Sequence, residues 1–199
     1  QAALDAVAAA GIVAVHESGH AIVSHVLPHA DDVHKVSIVA RGSALGYTVL
    51  LPEEDRHLHS RAQLADQLAV ALAGRAAEEV VFGELTTGAA DDIDRATRLA
   101  QAMVTEYGMS NKLGPRRFAS RDGEPFLGLD HGRAADHGTD VAVRVDEEVS
   151  RLLDEAHDRA RRILESHRGG LDRLAAALLE RETLADAELA EHLSALGAQ

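Results

Sequence analysis

His16, Glu17, Ser18, Gly19 and His20 spell H-E-x-x-H within an apolar stretch that reads as helix. On a helix, positions i and i+4 share a face, so both imidazoles can point at one cation. Glu17 lies one step round the same turn, where its carboxylate reaches a water on that cation rather than the cation itself. The chemistry this arrangement serves is zinc-assisted peptide hydrolysis, with two His as ligands and the Glu handling protons. Ile12 and Val13 precede the pair, and Val23 and Leu27 follow it on the same stripe, so the His-bearing face is predicted to be buried. A lone buried His is commonly satisfied by a carbonyl, whereas two at this spacing around a Glu point to a metal. His25 is out of phase with the pair and His29 lies beyond the breaker Pro28, so neither joins it.

Catalytic zinc takes three protein ligands and leaves one position for water, so a further donor is required. Val26 stands where an extended motif would carry a third His, and the donor must therefore be remote. Asp92 aligns with Ala96, Leu99 and Met103 on the apolar side of a predicted helix, while Asp91, Asp94 and Arg98 occupy its polar side. An ionised carboxylate turned toward a core costs several kcal/mol unless it is paired or bound to metal. At a helix start Asp92 also suits a capping or dipole-stabilising role. Glu78 is the second candidate, because a Glu on another helix also completes two-His sites. Spacing alone leaves these alternatives open.

The elements that must position these residues read as mainly helical. The chain has 199 residues, enough for one substantial core, and is read as one domain. A first helix is predicted from Ala9 to Leu27. Val36 to Val39 and Gly46 to Leu51 read as strands of a hairpin around Arg41-Gly42-Ser43, closed by Pro52. Such a hairpin is either a structural flap or an edge that accepts an extended peptide. Ser60 and Gln63 form a capping box opening a helix that continues through Leu64, Leu68 and Leu72 to Phe82, with Gly83 as its stop. A third helix runs from Ala90 to Tyr107 and Gly108. Residues 109–138 lack periodicity and read as a long mobile loop. Val145, Val149, Leu152, Ala156, Ala160 and Ile163 mark a long amphipathic helix ending near Gly169-Gly170. Two shorter helices follow, Leu171 to Glu180 and Asp186 to Leu196, the latter opened by a Thr183/Asp186 capping box. The strands are too few for a sandwich or a doubly wound sheet.

Composition removes several function classes. With 20 basic and 33 acidic residues the formal charge is -13, which argues against nucleic acid or an anionic membrane surface as partner. The chain has no cysteine, which excludes disulfides and thiolate zinc sites and suits a reducing compartment. No signal peptide is read, and the apolar run around Ala6 to Val15 is too short to span a bilayer. The two lysines, Lys35 and Lys112, follow His34 and Asn111, so the chain contains no P-loop.

Five segments in order carry a family resemblance: HESGHA at His16–Ala21, RGSALGYTVLLPEED at Arg41–Asp55, GRAAEEVVFG at Gly74–Gly83, TTGAADDIDRAT at Thr86–Thr97 and MVTEYGMSNKLGP at Met103–Pro115. Together they closely resemble the peptidase domain of FtsH, the membrane-anchored ATP-dependent zinc metalloproteases. The resemblance implies a helical zinc metallopeptidase domain with a small β-hairpin or short sheet near the active site. It implies that Zn2+ is bound by His16, His20 and Asp92, that Glu17 is the catalytic acid/base, and that Glu78 supports the ligands without binding the ion. Residues 1–199 then divide into a catalytic core over 1–108, the loop 109–138 and C-terminal helices over 139–199. The family's AAA ATPase and transmembrane segments are not in this sequence. The resemblance further implies a homo-hexameric ring on the cytoplasmic side of the cell membrane. Unfolded or membrane-extracted polypeptide is delivered there by the ATPase domain of the same protein, with no direct membrane insertion by this segment. Two departures stand out: Val15 where the family often has Tyr, and Asp91 where it often has Asn. The extra charge of Asp91 bears on metal affinity.

Two His and a carboxylate also form the facial triad of non-haem iron oxygenases. That triad needs no Glu between the His, and the strand-rich barrel that commonly carries it is missing here. An inactive scaffold is a third alternative, one expected to carry a damaged motif, whereas H-E-x-x-H is intact.

Overall fold

A computed structural model of the chain describes residues 2–40, 46–51, 58–118 and 139–197. Helix α1 (Ala2–Val26) is followed by strands β1 (Asp32–Ser37) and β2 (Tyr47–Leu51), then by helices α2 (Arg61–Ala71) and α3 (Ala73–Phe82). A 3-10 turn over Thr87–Ala89 leads into α4 (Ala90–Thr105), and α5 (Thr139–Ser166), α6 (Arg168–Arg181), β3 (Thr183–Ala185) and α7 (Asp186–Ser194) complete the order. The architecture is mainly α with one small antiparallel sheet of order β2-β1-β3. No helix among the described residues is long and apolar enough to cross a membrane.

Helix α1 is central. Every residue from Ala14 to Ser24 is buried, so the predicted stripe is in fact a helix enclosed on all sides. Around it pack Leu68, Ala73, Ala77, Leu164, Leu171 and Leu178, all buried in one continuous core. His25 and His29 are exposed.

Several boundaries differ from expectation for identifiable reasons. Strand β1 occupies Asp32–Ser37 instead of Val36–Val39, because it is paired on both sides: with β2 throughout and with β3 through Lys35, Val36 and Ser37. Strand β3 takes Thr183, whose hydroxyl meets that of Ser37 at 2.8 Å, so Thr183 does not cap the last helix. The predicted single helix to Phe82 is two, separated at Leu72, although Leu72 still donates to the Leu68 carbonyl. The Ser60/Gln63 capping box forms with both reciprocal bonds, and Gly83 ends α3 in the left-handed region at φ 68°. The break between α5 and α6 falls at His167 instead of the Gly-Gly pair, because Gly170 sits inside α6, where a Cβ would overlap the Leu196 side chain. The Arg41-Gly42-Ser43 connection, Pro52 and residues 119–138 lie outside the described residues.

The described part of the segment after α4, residues 109–118, is tied to the body. Met109 donates to the Met103 carbonyl at 2.8 Å and Phe118 to that of Thr105 at 2.7 Å. The anchor is Glu148 on α5, buried, accepting from Ser110 Oγ at 2.8 Å and paired with Lys112 Nζ at 3.1 Å and Arg151 Nη2 at 3.1 Å. Hydrogen bonds from Arg151 outweigh burial and, with those from Ser110 and Lys112, hold its carboxyl down at about 2 instead of 4.5. A carboxyl depressed in the fold stabilises above its unfolded pKa and loses that contribution as pH falls through the folded value. Stability is therefore expected to fall between about pH 4.5 and 2. Glu148→Gln should flatten that limb and cost about 2–3 kcal/mol at neutral pH, both measurable by urea titration across pH.

Candidate metal centre

Helix α1 presents His16 and His20 one turn apart, with ring centroids 4.9 Å from each other. Each ring is fixed from behind through Nδ1. His20 Nδ1 donates to the Val70 carbonyl at 2.7 Å, and His16 Nδ1 donates to Glu78 Oε1 at 2.7 Å. A carbonyl and an ionised carboxylate only accept, so both Nδ1 atoms carry a proton, and each ring, when neutral, leaves a lone pair on Nε2. The two Nε2 atoms face each other at 3.1 Å.

Asp92 completes the convergence. Its Oδ2 lies 3.1 Å from His16 Nε2 and 3.3 Å from His20 Nε2. It stands in the first turn of α4, a helix that begins without a side-chain cap; its carboxylate turns across to the imidazoles instead of back to its own helix start. Glu78 is elsewhere. Almost fully buried at 1% exposure on α3, it lies behind His16 and spends Oε2 on the Thr86 N–H at 2.9 Å. Glu78 thus links His16 to the turn that feeds α4, and the structure separates the two carboxylates that spacing alone could not rank.

The donor set fits a small divalent ion. Two imidazole lone pairs and a carboxylate oxygen within about 3 Å repel one another unless positive charge sits among them. A tetrahedral ion holding N and O ligands at about 2.0–2.1 Å separates its ligand atoms by about 3.3 Å, close to the 3.1, 3.1 and 3.3 Å found here. Among the described residues these three form the one cluster with metal-binding geometry. The electrostatics agree. Burial pulls the His16 pKa down, but its bonds to Asp92 and Glu78 and the charge of Glu17 raise it overall. Burial pushes Asp92 up, yet hydrogen bonds from the His16 and His20 rings in their protonated form hold it well below the usual carboxylate range. Both shifts have one cause, the close approach of carboxylates to imidazoles, which favours positive charge among them.

Glu17 is buried at 7% exposure, and its Oε2 accepts from the Thr48 hydroxyl at 2.7 Å. His16, Glu17, His20 and Asp92 open into one cleft of about 700 Å³, walled by Ile12, Val13 and Val70 and by Tyr47, Thr48 and Leu50 of β2. Sequence reasoning did not find Val70, Thr86 or Thr48. Val70 and Thr86 act through backbone atoms and leave no side-chain signature. Gly74 left a weak one: a Gly within a helical pattern, explained by the His16 ring lying where its Cβ would be.

The profile of peptidase family M41 matches residues 7–192. The chain belongs to peptidase family M41. Relatives include the ATP-dependent zinc metalloprotease FtsH of Kosmotoga olearia, 51% identical over 181 residues, covering 90% of this chain and 28% of that protein. The FtsH of Rubrobacter xylanophilus is 52% identical over 185 residues, 93% of this chain and 28% of its own. FtsH 3 of Symbiobacterium thermophilum is 48% identical over 185 residues, 93% of this chain and 30% of its own. The chain therefore spans less than a third of the length of these relatives. As in any M41 chain with this packing, Gly74→Ala should force the His16 ring aside. The expected outcome is a destabilisation of about 1–3 kcal/mol, read by thermal unfolding, together with a weaker affinity for divalent metal by calorimetry.

Proposed function

We propose that this M41 chain is a zinc-dependent endopeptidase domain that hydrolyses peptide bonds of unfolded or membrane-extracted polypeptides. The observation that carries the reading is the meeting of three lone-pair donors, His16 Nε2, His20 Nε2 and Asp92 Oδ2, in a cleft that also holds Glu17. In this reading His16, His20 and Asp92 hold Zn2+, while Glu78 and the Val70 carbonyl fix the rings that bind it. Bound there, zinc supplies Lewis acidity, which makes a water acidic near neutral pH and polarises a carbonyl oxygen. Glu17 takes the proton of the attacking water as the new C–O bond forms, and returns it to the amine nitrogen as the C–N bond breaks. Strand β2, at the edge of the sheet beside the cleft, offers its backbone to an extended peptide and aligns the scissile carbonyl.

The wider setting belongs to the same proposal. The relatives named above are called ATP-dependent, which supports an ATPase domain in the same polypeptide as the source of unfolded substrate. A homo-hexameric ring on the cytoplasmic side of the cell membrane would enclose the cleavage sites. The net charge of -13 favours neither nucleic acid nor an anionic surface as partner.

Glu17→Gln should keep zinc at wild-type stoichiometry while lowering casein cleavage by about 10²–10⁴-fold; undiminished cleavage would remove Glu17 from the mechanism. Asp92→Ala should lose most bound zinc by metal analysis, and Glu78→Gln should weaken binding by about 10–100-fold. The opposite ranking would make Glu78 the ligand. Without an unfolding motor the chain should cleave casein-like substrates and spare a tightly folded protein in the same gel assay.

A further inference from the structure

Glu17 is held from outside its own helix. Its Oε2 accepts from Thr48 Oγ1 at 2.7 Å, and the same hydroxyl lies 3.4 Å from the Glu17 carbonyl oxygen. Among the described residues Thr48 is the one hydrogen-bond donor to the Glu17 side chain, and its bond goes to Oε2. On the other side of the carboxylate stands Gly46, where a Cβ would come within 2.9 Å of Glu17 Oε1 and 3.0 Å of its Cγ. Two positions at the start of one strand therefore bracket the group: a donor fixes one oxygen and a bare Cα leaves room for the other. That strand is also the sheet edge among the described residues, where β2 pairs with β1 through Val36 and Thr48 and their neighbours.

We infer that Thr48 is a positioning residue for Glu17, its hydroxyl occupying Oε2 so that Oε1 is the oxygen presented for proton transfer. This rests on the peptidase reading of Glu17. A carboxylate on a flexible side chain has many rotamers, and a general base must meet its proton within hydrogen-bond distance. One charge-assisted bond from a strand selects the productive rotamer before substrate arrives. Because that strand is the edge offered to the peptide, a displacement of β2 moves the base together with the substrate and preserves their alignment.

The test compares Thr48→Val, which keeps the shape and deletes the donor, with Thr48→Ser, which keeps the donor. Thr48→Val is expected to lower kcat for an unfolded substrate by about 10–100-fold with KM changed less than about threefold, at wild-type zinc content and melting temperature. Thr48→Ser should recover kcat to within about threefold of wild type. Wild-type kcat in Thr48→Val, a loss confined to KM, a loss of zinc, or a Ser variant as impaired as the Val variant each overturns the inference. Crystal structures of wild type and Thr48→Val give a readout independent of turnover: the Glu17 carboxylate should be single in the first and spread over rotamers in the second. An unchanged Glu17 in Thr48→Val sinks the positioning role whatever the kinetics. A zinc-loaded wild type that leaves casein intact refutes the peptidase reading instead, and the crystallographic comparison still decides Thr48.

Discussion

The folded chain is organised around three lone pairs that repel one another. His16 Nε2, His20 Nε2 and Asp92 Oδ2 stand 3.1 to 3.3 Å apart in a partly buried setting, where unscreened repulsion between acceptors is far more costly than in water. Positive charge among them relieves that repulsion, and both rings are held from behind. The holding is done by bonds to Nδ1. Because Val70 and Glu78 offer acceptors there, the tautomer of both rings is settled by the protein before any ion arrives.

Holding the rings requires helices to approach unusually closely. At Gly19, a Cβ on α1 would come within 2.6 Å of the Ala73 carbonyl oxygen and of the Ala77 Cβ on α3, while Gly74 leaves its space to the His16 ring. Small residues at this crossing bring α3 near enough for Glu78, one turn beyond Gly74, to reach His16 Nδ1. Glu78 then does two things with two oxygens. One orients a ring on α1, and the other binds Thr86 N–H at the entrance to the 3-10 turn and α4, six residues before Asp92. A single buried carboxylate thus couples the imidazole arm of the site to the carboxylate arm, 76 residues away in sequence.

What could be read from the sequence followed from how local each constraint is. The spacing of His16, Glu17 and His20 is a helical rule and needs no tertiary information. The apolar phase of Asp92 with Ala96 and Met103 identified a carboxylate turned inward, and Ser60/Gln63 and Gly83 marked real helix ends, because capping is chemistry within one turn. The position of β1 was not readable. Its register is fixed by pairing with β3, nearly 150 residues later, and by a buried Ser37 hydroxyl satisfied by Thr183. Thr183 was misassigned for the same reason, since a strand three residues long leaves no periodicity. Asp92 against Glu78 was likewise undecidable from spacing, because the answer depends on which nitrogen of His16 each one reaches.

The site divides its tasks between two kinds of structure. All three candidate ligands come from helices, α1 and α4, and are braced by α2 and α3, so the ion-binding geometry belongs to the close-packed helical body. The group that contacts Glu17 comes from the sheet. A close-packed helical body tolerates little movement, whereas an edge strand is freer to shift by small amounts. The Glu17 carboxylate is bonded to the strand while its backbone stays on the helix with the candidate ligands, so one residue answers to both. Glu17 therefore sits next to His16 in sequence yet takes its side-chain hydrogen bond from an element 31 residues away.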